Sequence, residues 1–201
     1  MPRLFTAIET PRDAALSLSL LRGGLPSAHW IETENYHLTL RFFGDIDGRT
    51  ADELVTNLDD IRQNRFSVQL SGLGAFGSKK PHALYAAAAA SPELKQLNTS
   101  IASICRRLAI APDPRKFTPH VTLARLRGAT DPAIAAWLEG HGNFAAAPFT
   151  ARRFVLMSSK ASVGGGPYVI EEAFDLAPAP PTQSGAGHPH ALADNPHDQG
   201  S

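Results

Sequence analysis

An α+β fold built from two similar β/α lobes is predicted by three features of the chain. The strand-like stretch Tyr36-His37-Leu38-Thr39-Leu40-Arg41-Phe42-Phe43 returns in shorter form as His120-Val121-Thr122-Leu123-Ala124-Arg125, 83 positions later (120 − 37). The same offset carries Gly48 onto Asp131 at the start of two helical patterns, Phe66 onto Phe149 and Tyr85 onto Tyr168, the mark of an internal duplication. Short strand-like runs also alternate with amphipathic helical stripes throughout. Antiparallel-rich sheets, one in each lobe, are therefore expected to flank a central cleft, each sending one His-x-Thr pair toward it.

Taken in order, Leu4-Phe5-Thr6-Ala7-Ile8 reads as a buried strand closed by Thr10-Pro11. Ala14, Leu18 and Leu21 then recur at helical spacing as far as Gly23-Gly24. Trp30-Ile31 leads into the first His-x-Thr strand, which ends at Gly44-Asp45. Thr50-Ala51-Asp52-Glu53 has the form of a capping box, followed by Leu54, Val55, Leu58 and Ile61 on one helical face. Phe66 to Leu70 alternates like a half-buried strand, and Gly72, Gly74 and Gly77 predict irregular or closely approached backbone after it. Ala83 to Ala90, bounded by Pro81 and Ser91-Pro92, is read as a strand that either closes the first unit or opens the second.

Ser91 caps the next helix with Pro92 at its first position, and Leu94, Leu97, Ile101, Ile104, Cys105 and Leu108 share one stripe. Phe117-Thr118-Pro119 enters the second His-x-Thr strand. Asp131-Pro132 opens a helix whose apolar side is Ile134, Trp137 and Leu138. Phe149 to Ser159 and Tyr168 to Leu176 form a hairpin-like pair around Gly164-Gly165-Gly166-Pro167. Residues 1–176 thus make the bilobal domain. From Ala177 the composition turns to Pro, Gly, Ala, Ser and polar residues without periodicity, so residues 177–201 read as a disordered tail with solvated His188, His190 and His197.

Composition narrows the function. The chain has 201 residues, 43% of them hydrophobic, which suits a folded domain of this size. With 19 Lys and Arg against 19 Asp and Glu there is no overall pull toward a polyanion, so a small or end-recognised substrate fits better than a long duplex. Cys105 is the only cysteine, which excludes an internal disulfide and a cysteine-based zinc site. No apolar run reaches the length of a membrane span and Met1-Pro2-Arg3 leads into a strand rather than a signal peptide, so a cytoplasmic monomer without membrane contact is expected.

Strand alternation puts His37, Thr39 and Arg41 on one face and Leu38, Leu40 and Phe42 on the other, and likewise His120 and Thr122 opposite Val121 and Leu123. Two imidazoles, one protonated and one neutral, make an acid and base pair suited to displacement at phosphorus. Two neighbouring hydroxyls can donate hydrogen bonds to the oxygens that gather charge in the transition state. The scheme needs no metal and no cofactor. It does not decide which histidine is acid and which is base.

These motifs, His37-Leu38-Thr39-Leu40 and His120-Val121-Thr122-Leu123, resemble those of the two-histidine phosphoesterase superfamily. The nearest resemblance is to the RNA 2′,3′-cyclic phosphodiesterase family, also called 2′-5′ RNA ligases. Arg3-Leu4-Phe5-Thr6-Ala7-Ile8, Arg41-Phe42-Phe43-Gly44, Leu70-Ser71-Gly72-Leu73-Gly74-Ala75-Phe76 and Gly164-Gly165-Gly166-Pro167-Tyr168 extend it over residues 3 to 176. The resemblance implies hydrolysis of a terminal 2′,3′-cyclic phosphate on RNA to a 2′-phosphate, with His37 as proton donor and His120 as proton acceptor. It further implies that Thr39, Thr122 and Arg125 bind the phosphate. Strict alternation places Arg125 on the wrong face, so its role requires a bend or bulge, whereas Arg41 has the right parity. Phe42, Phe43, Phe76 and Tyr168 are candidates for stacking a base, although core packing is the safer reading for most of them. Lys79-Lys80 and Arg115-Lys116 are candidates for steering the polynucleotide.

Three rivals stand beside this reading. A metal hydrolase would use His37 and His120 as ligands with His82, but the chain has no His-Glu-x-x-His. A non-catalytic module would use the same residues only to grip an RNA end or a nucleotide. Ligation, or action on a small cyclic nucleotide, lies within the same superfamily.

Overall fold

Alternating strands and amphipathic helices assemble as the chain order β1 (Arg3–Glu9), α1 (Arg12–Ser19), β2 (Ala28–Trp30), a 3₁₀ turn (Thr33–Asn35), β3 (His37–Gly44), α2 (Gly48–Asp59), β4 (Phe66–Val68), β5 (Leu70–Phe76), β6 (Ala83–Ala88), α3 (Pro92–Arg107), β7 (His120–Leu126), α4 (Asp131–Gly140), β8 (Phe149–Ala151), β9 (Arg153–Ser159) and β10 (Tyr168–Asp175). The structure is a computed structural model that describes residues 3–77, 80–128, 131–159 and 167–178. Lys79, the turn glycines 164–166 and the tail from residue 179 onward lie outside the described residues.

The expected separate sheet in each lobe is replaced by one eight-stranded sheet in the order β10-β9-β1-β3-β7-β6-β5, with β2 on β7, beside a two-stranded β4-β8 ribbon. The named pairings are antiparallel. β3 meets β7 through one partner pair, Leu38↔Val121, and β2 continues along the same edge of β7 through Ala28↔Leu126, His29↔Arg125 and Trp30↔Ala124, so the His-x-Thr strands lie side by side in the sheet. The Ala-rich run β6 lies between β5 and β7, as β1 lies between β9 and β3. It therefore holds beside β7 the place that β1 holds beside β3. Pairing on both sides overrides the helical preference of alanine, and the small Ala83, Ala86 and Ala88 pack there with little exposure.

α2 and α3 are explained by an apolar stripe and a side-chain cap. Ser91 caps α3 by accepting a 3.2 Å hydrogen bond from Leu94 N, and Leu94, Leu97, Ile101, Ile104 and Cys105 are buried. Each fully buried Leu or Ile contributes on the order of 1.5–3 kcal/mol relative to exposure. Asn98 Nδ2 donates to Leu40 O at 2.7 Å, pinning α3 to β3. The capping box expected at Thr50 does not form: α2 starts at Gly48, and the Asp47 carboxylate accepts from Thr50 N at 2.9 Å. Asp47 comes first in the chain and its carboxylate is a good acceptor for an orphan N–H of the first turn.

The strand expected over Phe66–Leu70 divides into β4 and β5 around Gln69, whose Nε2 donates to Ala146 O at 2.7 Å. The glycines that follow belong to β5, where a register shift lies between Leu70 and Leu73 and Gly72 adopts φ +78°. Similarly Phe149–Ser159 is two strands, β8 and β9, and β9 pairs antiparallel with β10 as the hairpin pattern predicts. Ala177, placed by composition in the tail, is still tied to the body: its N–H donates to Gln63 O at 2.9 Å and its carbonyl accepts from Arg65 N at 2.8 Å.

Alternation along β1 separates two cores. One, with the helices, contains Ile8, Leu38, Leu40, Val121 and Leu123. The other, smaller, holds Phe5, Ala7, Val155 and Met157 with Tyr168 against them. Phe5 and Ala7 point away from Ile8, so the small cluster lies on the sheet face opposite the helices. Phe5 is in ring contact with His37, which puts the histidine on that face too.

Candidate active site

Antiparallel register brings the two motifs together. Extending the Leu38↔Val121 pair by one residue each way sets His37 opposite Thr122 and Thr39 opposite His120, all four on the helix-free face. The four residues are partly buried, while Leu38, Val121, Leu40 and Leu123 between them are buried in the core. Each imidazole thus faces the hydroxyl of the other strand, with the second imidazole on the diagonal.

Both rings are anchored in the same way. His37 Nδ1 lies 2.8 Å from Asn35 O and His120 Nδ1 lies 2.6 Å from Thr118 O. A carbonyl only accepts, so Nδ1 carries the proton in each neutral ring, which leaves Nε2 as the nitrogen able to accept a proton. Aromatic rings hold the edges: Tyr168 at 4.8 Å and Phe5 at 5.1 Å from His37, Phe76 at 4.7 Å and Tyr85 at 5.5 Å from His120. Phe76 is itself stacked on Tyr85 at 4.2 Å. Gly74 makes that stack possible, because a Cβ there would come within 2.5 Å of the Tyr85 ring.

Burial pushes the His37 imidazole down to about 4; the Asn35 carbonyl opposes this, and the positive charges of His120 and Arg125 add to it. Burial also lowers His120, opposed by the Thr118 carbonyl and helped by Arg125 and Arg115. Because His37 is harder to protonate folded than unfolded, the unfolded chain binds more protons between the ordinary value of 6.5 and about 4. Stability contributed by neutral His37 is therefore whole above pH 6.5 and drains away as pH falls through that window. We expect chemical denaturation to show a loss of up to about 3 kcal/mol from pH 7 to pH 4, and His37→Gln to flatten that slope. An equal slope in the variant would assign the effect to other groups.

The two arginines resolve in opposite directions. In β7 the register against β6 shifts between Leu84 and Tyr85, so Leu123 and Ala124 are both buried and Arg125 emerges exposed on the histidine face. This bulge meets the condition set for Arg125, whose charge is felt by both imidazoles. In β3 the matching shift, between Thr6 and Ala7 of β1, turns Arg41 the other way despite its parity. Arg41 Nη2 donates to Ala111 O at 3.0 Å and its guanidinium interacts with the Cys105 thiol, on the α3 side.

The same shift overturns the expected core position of Phe42, which is 44% exposed and packs on Phe5 at 5.4 Å, while Phe43 is the buried residue. Phe76 stands beside His120, and Tyr168 stands beside His37 while packing against the smaller core. Phe5 and Tyr85 are neighbours of the site that alternation does not single out, the Tyr85-to-Tyr168 offset being the one signal for either, whereas Arg115, a steering candidate in the sequence, does lie near it. Arg115 is paired with Asp113 at 2.9 Å and lies over the Phe42 ring. His82 stacks on Phe76 at 6.4 Å. Among the described residues no group of three or more His, Cys, Asp or Glu side chains is arranged to hold a metal ion. Among them, too, no helix is long and apolar enough to cross a membrane.

The class to which this mixed α/β scaffold, with two histidine-bearing strands side by side in an antiparallel sheet, belongs is given by comparison with known proteins. The chain belongs to the 2′-5′ RNA ligase superfamily, whose family model matches residues 20–162. It is 35% identical to the RNA 2′,3′-cyclic phosphodiesterase of Aeropyrum pernix over 66% of this chain and 76% of that protein. It is 28% identical to the RNA 2′,3′-cyclic phosphodiesterase of Aquifex aeolicus over 73% and 81%. The fold matches the crystal structure of E. coli LigT complexed with 3′-AMP, with a TM-score of 0.71 at 24% identity over 88% of this chain and 99% of that one. It also matches TT0787 of Thermus thermophilus, with a TM-score of 0.73 at 20% identity over 88% and 98%.

Proposed function

We infer that this protein is an RNA 2′,3′-cyclic phosphodiesterase, a hydrolase that opens a terminal 2′,3′-cyclic phosphate to a 2′-phosphomonoester through His37 and His120. The observation that carries this reading is the matched anchoring of two rings on neighbouring strands, each with Nδ1 on the carbonyl two residues before it, which leaves Nε2 to exchange a proton with a substrate. The relatives named for this activity supply the substrate class. A cyclic phosphate contains its own 2′ oxygen, so the chemistry requires RNA and excludes DNA.

In the proposed reaction the phosphate enters between the strands, its non-bridging oxygens held by Thr39, Thr122 and Arg125. His120 Nε2 takes a proton from water as the water oxygen bonds to phosphorus. The bond from phosphorus to the 3′ oxygen breaks, and His37 Nε2–H supplies the proton to that oxygen. The product leaves with His120 protonated and His37 neutral, and exchange with solvent resets the pair. A neutral His37 in the empty site must first take up a proton, and the negative charge of an arriving phosphate favours this uptake. No metal or cofactor has a part in this route.

The recurrence of strand, helix and strand order in the two halves, with β3 and β7 83 positions apart, supports descent from an internal duplication. Both motifs come from one chain, so the site is complete in a monomer. The lone, buried Cys105 suits the reducing cytoplasm.

Incubation with an RNA ending in a 2′,3′-cyclic phosphate, followed by identification of the product, tests the reading. A 2′-phosphate is expected. A 3′-phosphate would reverse the roles given to the two histidines, and no turnover would overturn the activity itself.

A further inference from the structure

The two histidines are walled in by aromatic rings that reach them by different routes. Tyr85, beside His120, lies on β6, which pairs with β7 in the register Tyr85↔Thr122, so neighbouring strands place it. Tyr168, beside His37, lies on β10, and β9 and β1 both separate β10 from β3. Strand pairing alone therefore does not set Tyr168 against His37. The structure supplies a tie outside the sheet: Asn35 Oδ1, in the 3₁₀ turn before β3, accepts from the Tyr168 N–H at 3.4 Å. The carbonyl of the same residue accepts from His37 Nδ1 at 2.8 Å. One asparagine thus holds both the imidazole and the ring that stands edge-on to it, with 4.8 Å between centroids and 82° between planes. Phe5 completes the wall, 5.1 Å from His37 and 5.3 Å from Tyr168. At the matching place before β7, 83 positions on (118 − 35), stands Thr118, whose hydroxyl turns instead to Lys116 O within its own loop.

We propose that Asn35 is a positioning residue for the proton donor: its side chain fastens Tyr168 against His37 and so keeps water from that ring, while its carbonyl fixes the tautomer. The inference rests on the cyclic phosphodiesterase reading for the part it gives His37, and deepens that reading. A shielded imidazole resists charging until an anion arrives, and once charged it gives up its proton readily. Burial is the largest cause of the lowered His37 pKa, in keeping with such shielding. The charges that act on His37 are those of His120 and Arg125 from β7, and the Tyr168 phenol belongs to β10. Glu9, its partner across β1, is engaged by Arg153 at 2.6 Å, and Glu34 of the turn is exposed. Asn35→Ala removes none of these groups and leaves the backbone carbonyl in place, so it isolates the seat.

The test follows the histidine Cε1–H signals by NMR in the free 201-residue chain as pH is varied, with His37 assigned by the signal missing from His37→Gln. In Asn35→Ala the His37 midpoint is expected to rise from about 4 by about one pH unit, toward the ordinary value, while His120 moves far less. Tyr168→Ala is expected to raise it at least as much, and the double variant no further than Tyr168→Ala alone, because both changes empty the same seat. Imidazole nitrogen shifts should still show Nδ1–H in the neutral His37 ring of Asn35→Ala. An unmoved His37 midpoint in Asn35→Ala, rises that add in the double variant, or loss of the Nδ1–H form would overturn the proposal, the last because the turn itself would have come apart. On an RNA ending in a 2′,3′-cyclic phosphate, Asn35→Ala is expected to lower kcat severalfold with KM little changed, since Asn35 does not hold the phosphate. An unchanged kcat would overturn the role in the reaction. Absence of turnover in the wild-type chain would instead sink the cyclic phosphodiesterase reading, and the titrations, made without substrate, would still decide whether Asn35 seats the ring. Matching thermal unfolding curves confirm that the variants are folded.

Discussion

Replacing either histidine, as His37→Ala or His120→Ala, is expected to reduce cyclic phosphodiesterase turnover by about a hundredfold or more while leaving the protein folded. The size follows from the chemistry: each variant removes one proton transfer to or from a reacting oxygen, and β3 and β7 each carry a single histidine. The fold survives because the rings lie on the helix-free face, whereas the strands are held by Leu38, Leu40, Val121 and Leu123 in the main core. For His37 the substitution also removes a group that burial holds unprotonated, so stability at low pH rises rather than falls. Single-turnover rates with a cyclic-phosphate-ended RNA, alongside unfolding curves, provide the check. Turnover within a few-fold of wild type in a folded variant would show that the histidines grip the phosphate without moving protons, the behaviour of a binding module.

How much of this was readable from the chain depends on whether a feature belongs to one strand or to two. The His-x-Thr faces are a property of single-strand alternation, and the histidines, threonines and core leucines stand where alternation puts them. The stripe of α3, its Ser91 cap and the burial of Cys105 are equally local. Arg125 and Phe42 were not readable in this way, because their facing depends on bulges set by registers against β6 and β1, and a single inserted residue reverses every later side chain. Arg41 shows the converse: correct by parity, it is turned away by the same shift. The joining of two expected sheets into one likewise rests on long-range pairings, Leu38↔Val121 between β3 and β7 and the three pairs of β2 with β7, which no local pattern encodes. Asp47 displaced Thr50 as a helix cap because two acceptors compete for the same first-turn N–H groups, and only the three-dimensional turn selects between them.

Arg125→Ala is expected to lower kcat/KM by about a hundredfold, in line with removal of a charged donor from a developing phosphorane. It should also move the pH profile in a direction fixed by the site. Arg125 is the charge common to both imidazoles, and it depresses the pKa of both. Removing it lets both pKa values rise, so the bell of kcat/KM against pH shifts to higher pH on both limbs, the limbs being properties of the coupled pair. A residue that only shaped the strand would lower activity without displacing the bell. Arg125→Lys separates the two contributions: a point charge returns the bell toward its original position, while the lost planar fork leaves kcat/KM below wild type. If Arg125→Ala kept the wild-type kcat/KM and an unmoved profile, the bulge in β7 would have no part in catalysis, and the cation that holds the phosphate would have to be sought elsewhere in the groove.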